Sequence, residues 1–128
     1  MKTAKPKPVA PPEKAVQAAL MRRLWECGFL VVRINSGAHK GRAGNYFRAY
    51  TIANLPAADQ SAGFPDVMAL LDGHVWLIEV KTESGALSDS QKKFAQCAAM
   101  YGVSVHVVHG HNEIDAVIDT ILDEARAL

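Results

Sequence analysis

Gly63-Phe64-Pro65-Asp66-Val67-Met68-Ala69-Leu70-Leu71-Asp72-Gly73-His74-Val75-Trp76-Leu77-Ile78-Glu79-Val80-Lys81 reads as two β-strands joined by a tight turn. Asp72-Gly73 is a strong two-residue hairpin signal, because the favoured turns need positive φ at their centre. The spacing predicts strands over 66–71 and 74–80. Side chains two apart share one face of a strand, so Glu79 and Lys81 emerge together beside whatever Asp66 faces.

Toward the N-terminus, Val16, Leu20, Leu24 and Cys27, with Ala19, form a helical apolar stripe that Gly28 ends. Pro11 and Pro12 before Glu13 favour a helix start there. Residues 29–34 are β-rich and read as a first strand. Between 35 and 63 the pattern breaks at Gly37, Gly41, Gly44, Pro56 and Gly63, which predicts a long excursion with a short hairpin around 46–52. Excursions of this length are often functional. Toward the C-terminus, Ser88 and Gln91 form a candidate capping box opening a helix that runs to Tyr101. Residues 103–109 read as a further strand, and Asn112 opens a last helix through Ala125. Strand, helix, strand in succession favours a parallel crossover. The expected class is α/β, a mixed central sheet flanked by helices. Trp25 and Trp76 are expected to pack in the core, and Cys27 and Cys97 to be small buried residues.

The chain has 128 residues, 49% apolar and 21% charged, as an ordinary globular protein does. One domain over 13–128 is expected, preceded by a disordered basic arm over 1–12 rich in Lys, Pro and Ala. Lys2, Lys5 and Lys7 fit phosphate contacts or a solubilising tail equally well. Neither a membrane-spanning run nor a secretory signal is visible, so a soluble cytoplasmic protein is expected. The formal net charge is only +1, but its distribution is uneven. Arg33, Lys40, Arg42 and Arg48 fall in an acid-free stretch, whereas Glu113, Asp115, Asp119, Asp123 and Glu124 crowd the C-terminal one. One basic side facing a phosphate backbone fits that asymmetry.

Asp66 and Glu79 supply the oxygen ligands that Mg²⁺ or Mn²⁺ prefers, and the Val80 backbone carbonyl is a further candidate donor. Lys81 could orient a water and neutralise developing negative charge. Phosphodiester hydrolysis is the chemistry that most needs this set. E-x-K alone also describes an exposed, salt-bridged strand; the apolar neighbours Val75, Leu77 and Val80, and an aspartate across the hairpin, weigh against that. Arg33, Asn35 and Ser36 fit either donors to a phosphate or ordinary turn chemistry. Lys40, Arg42 and Arg48, interleaved with Tyr46 and next to His39, fit a DNA-contact loop or a solvated basic loop. His106, His109 and His111 have no regular further ligand, so solvated or hydrogen-bonded histidines are favoured over a zinc site.

Taken in order, several segments resemble the VRR-NUC branch of the PD-(D/E)xK nuclease superfamily. They are Glu13 with Val16 and Gln17; Arg33-Ile34-Asn35-Ser36-Gly37; Gly63-Phe64-Pro65-Asp66; Ile78-Glu79-Val80-Lys81; Leu87-Ser88-Asp89-Ser90-Gln91; and 102–108. The resemblance implies a restriction-endonuclease-like αβββαβ core and a Mg²⁺- or Mn²⁺-dependent endonuclease of repair, recombination, restriction or phage replication, in a bacterial or phage-infected cell. It implies that Asp66 and Glu79 bind metal, that Lys81 is catalytic, and that Glu13 and Gln91 complete the site. No organic cofactor is implied. By analogy a homodimer cutting branched DNA, such as four-way (Holliday) junctions, is preferred over flap or restriction-type cleavage. A non-catalytic nucleic-acid-binding module on the same fold is the alternative from another class.

Overall fold

The computed structural model describes residues 12–34 and 50–128, and the backbone at 39–40 and 46–47. Helix α1 (Glu13–Glu26) starts after Pro12 and buries Val16, Leu20 and Leu24, a single stripe at four-residue spacing. The strands are β1 (Leu30–Arg33), β2 (His39–Lys40), β3 (Tyr46–Phe47), β4 (Val67–Leu71), β5 (His74–Lys81) and β6 (Val105–His109). Helix α2 (Asp89–Met100) joins β5 to β6, and α3 (Ile114–Arg126) follows. The main sheet has the order β1-β4-β5-β6, antiparallel except for the parallel β5–β6 pair that α2 bridges. This is the mixed sheet with flanking helices expected of an αβββαβ core.

Local chemistry explains the joints. Leu71 pairs with His74 across Asp72 (φ 51°) and Gly73 (φ 80°), both in the left-handed region, as the Asp-Gly signal requires. At α2, Ser88 Oγ accepts the Gln91 backbone N–H and Gln91 Oε1 accepts that of Ser88, a complete capping box.

The pleat of β5 divides the protein into two layers. Trp76, Ile78 and Val80 face α1 and α3, where they join Val67, Val108, Leu20 and Ile118 in the larger core. Each fully buried aliphatic side chain there stabilises the fold by roughly 2 kcal/mol. Trp76 meets Phe29 edge-on, with centroids 5.6 Å apart, and its Nε1 donates to Glu124 Oε2 at 2.9 Å. Leu77 faces the other way, into a smaller cluster with Phe94 and Ala98 of α2. The segment after residue 50 covers that second layer. Phe64 stacks between Tyr50 and Phe94, Asn54 Nδ2 donates to the Tyr101 hydroxyl at 2.7 Å, and Lys93 pairs with Asp59 at 3.2 Å.

Several expectations need correction. Trp25 is 70% exposed, because one residue past Leu24 turns it about 100° off the buried stripe. Cys27 is exposed, since it sits at the C-cap where the helical stripe has ended, and Cys97 is half-buried beside the core position Ala98. The short hairpin lies at β2–β3, with His39 opposite Phe47, rather than around 46–52. A 3₁₀ turn (His111–Glu113) precedes α3, so the α-helix begins two residues after Asn112. The basic arm, Asn35, Ser36, Arg42 and Arg48 lie outside the described residues, as do the side chains of His39, Lys40 and Tyr46.

Candidate active site

The β4–β5 ladder places Val67 opposite Ile78, which sets Asp66 opposite Glu79 on the face toward α2. The Ile34 N–H donates to the Asp66 carbonyl at 2.6 Å, anchoring this position to the end of β1. Asp66 Oδ2 accepts the Val80 N–H at 3.0 Å, so the carboxylate bends back over the end of β5. Glu79 is only 3% exposed, and its Oε2 is buried without a hydrogen-bond partner. Lys81, two residues on, lies on the same face with its Nζ 4.0 Å from Glu79 Oε1. Thus three groups that are separate in sequence converge at one end of the sheet.

Burial pushes the Glu79 carboxyl up to about 9 from 4.5. The hydrogen bond and the charge of Asp66 push the same way, Lys81 opposes them, and Glu13 adds a smaller upward push. At neutral pH Glu79 therefore keeps a proton, a buried acid in contact with a second carboxyl group. An acid held neutral in this way, with one oxygen unpartnered, fits a place designed for a cation. A divalent ion would displace the proton and satisfy the orphaned oxygen.

Glu13 is exposed in the first turn of α1, and its charge is felt at Glu79. Among the described residues, however, no three His, Cys, Asp or Glu side chains gather tightly enough to enclose an ion. The described acidic face is thus built by Asp66 and Glu79. Gln91 is half-buried, with its Oε1 engaged by the capping box. Gly63 brings the Pro-Asp segment against this helix start: with φ 88° its Cα lies so close that a β-carbon would overlap the Ser90 carbonyl. That contact holds the backbone three residues before Asp66 against the first turn of α2.

Arg33 pairs in register with Val67, which puts it on the α1 face of the sheet, away from Asp66 and Glu79. There it lines a cleft of about 410 Å³ with Lys14, Gln17 and Met21. Lys14 was missed from sequence, although its three- and four-residue spacing to Gln17 and Ala18 marks one helical face. Tyr50 was missed too; its hydroxyl accepts the Phe64 N–H at 3.3 Å, two residues before Asp66. Nothing local announces that role. His106 hydrogen-bonds Glu124 at 3.3 Å on the α3 side, in keeping with a hydrogen-bonded rather than zinc-binding histidine.

The family model described as "VRR-NUC domain" matches residues 12–112. A solved structure titled "VRR_NUC domain" is similar with a TM-score of 0.59 and 24% identity, covering 84% of this chain and 94% of that chain. At that identity the likeness shows the shared fold. No curated protein matches the chain.

Proposed function

From the premise that this chain belongs to the VRR-NUC domain family, a family of nucleases, we propose that it is a metal-dependent DNA endonuclease. The observation that carries this reading is the buried Glu79 carboxyl, unpartnered at Oε2 and flanked by Asp66 and Lys81. Asp66 and Glu79 would hold Mg²⁺ or Mn²⁺, with the Val80 carbonyl and Glu13 as further donors. When bound, the ion supplies Lewis-acid polarisation of the scissile phosphate.

The chain's own residues do the remaining work. The Val80 N–H orients the Asp66 carboxylate over the end of β5. Glu79 would hold the ion as a carboxylate, its proton released to solvent. Lys81, whose side chain is only 14% exposed, holds the attacking water and offsets negative charge at the phosphorus. Attack in line expels the 3′-oxygen and leaves a 5′-phosphate. Gln91, at the start of α2, would complete the site through its amide nitrogen, since its Oε1 is engaged by the capping box. Arg33, Asn35, Ser36, Lys40, Arg42 and Arg48 are the phosphate contacts of this reading, with Arg33 engaging DNA from the α1 side. Branched DNA, a four-way junction in particular, cut by a pair of chains, is the substrate and assembly we favour; family analogy supports both.

The test uses labelled four-way junction, flap, duplex and single-stranded DNA with Mg²⁺, Mn²⁺ or EDTA. Cleavage should need the metal, and Asp66→Asn and Lys81→Ala should bind but cut at least a hundredfold more slowly. Metal-independent cutting, or full activity in both variants, refutes the mechanism. Binding without cutting on every substrate favours the non-catalytic module.

A further inference from the structure

His109 and Lys81 are direct neighbours across the parallel β5–β6 pair. Residues paired in register point to the same face, so His109 shares the side of the sheet that carries Glu79 and Lys81. The strands are locked at this position by the Gly110 N–H, which donates to the Lys81 carbonyl at 3.0 Å. The histidine is also held in place. Glu113 Oε1 accepts the His109 backbone N–H at 2.7 Å and lies 3.1 Å from His109 Nδ1. The backbone hydrogen bond keeps the Glu113 carboxyl below its ordinary range, so it stays an acceptor. Nδ1 must then carry the proton of that contact, which directs Nε2 away from Glu113.

We propose that His109, oriented by Glu113, is a DNA-contacting residue that meets a phosphate beside the cut site on the β6 flank. The proposal rests on the nuclease reading of the Asp66–Glu79–Lys81 site and extends its footprint to the edge strand. A phosphate offers only acceptors, so the contact needs Nε2 as a donor, with the Glu113 carboxylate held at Nδ1. The charged groups around it are Lys81 on β5, Glu113 in the 3₁₀ turn, and Glu83, whose Cγ lies 2.8 Å from where a β-carbon on Gly110 would sit. His111, in the same turn as Glu113, is exposed. Lys81 and His109 would thus meet the phosphate backbone side by side, with Glu113 and Glu83 as the neighbouring acids.

The test measures binding of a labelled four-way junction and a matched duplex in EDTA, across a salt series, with cleavage in Mg²⁺ or Mn²⁺ run in parallel. His109→Ala should weaken binding about tenfold. It should also reduce the magnitude of the slope of log K against log salt by about 0.9, the loss of one phosphate contact. His109→Gln, which keeps an amide donor at similar reach, should recover much of the affinity but not the slope. Glu113→Gln should show an intermediate loss. A merely structural histidine would lower the melting temperature yet leave the slope intact. Wild-type affinity and slope in folded His109→Ala overturn the proposal; if that variant does not fold, an unchanged slope in His109→Gln does so. Wild-type protein that binds but never cuts refutes the nuclease reading alone, because the binding comparison still decides the role of His109. Failure of the wild type to bind either DNA overturns both.

Discussion

Replacing Glu79 by Gln should make the metal-free protein progressively more stable than the wild type as pH rises. The folded Glu79 carboxyl titrates at about 9 instead of 4.5, chiefly because it is buried. For a raised folded-state pKa, the stabilisation is fully present below the unfolded value and is lost as pH climbs through the folded one. Between 4.5 and about 9 the native state keeps a proton that the unfolded chain releases. Each pH unit in that window therefore costs the wild type about 1.4 kcal/mol relative to a side chain that cannot ionise. From pH 5 to pH 8 the stability difference between Glu79→Gln and wild type should widen by about 4 kcal/mol, much of a small domain's total. Any fixed cost of the substitution cancels from this comparison. Urea unfolding of both proteins in EDTA at each pH unit measures it. Parallel stability curves would refute the claim that Glu79 is a neutral acid in the folded chain. The same substitution links stability to function. Saturating Mn²⁺ at pH 8 should stabilise the wild type, by about 3 kcal/mol at a hundred times the dissociation constant, and leave Glu79→Gln almost unmoved.

Two further substitutions probe the frame around the site. Gly63→Ala combines a positive φ with an overlap on Ser90, and should cost about 3 kcal/mol in urea unfolding; a loss below about 1 kcal/mol would show that the Pro-Asp segment does not depend on this close approach. Trp76→Phe keeps an aromatic body but removes the donor to Glu124, so about 1–2 kcal/mol should be lost, and an unchanged unfolding midpoint would dismiss that hydrogen bond as a tie between β5 and α3.

The features legible in the sequence are those decided by neighbours a few residues apart. The Asp72-Gly73 turn, the two-residue spacing of Glu79 and Lys81, and the Ser88–Gln91 capping box all follow from backbone geometry that repeats over one turn or one pleat. Local pattern says nothing of orientation: Trp25 is as apolar as Leu24 but points to solvent, and that Arg33 lies on the face away from Asp66 follows only from its pairing with Val67.

By itself, then, the sequence determined most of the elements, the α/β class and the shared strand face of Glu79 and Lys81, because periodicity and turn chemistry are local. The tertiary structure alone decided what those residues feel. Asp66 meets Glu79 through the antiparallel register of the hairpin, and burial beneath that contact keeps Glu79 protonated. His109 comes beside Lys81 only through the crossover that returns β6 parallel to β5. Charge, solvation and proximity depend on which strands become neighbours, and strand pairing is a property of the assembled sheet.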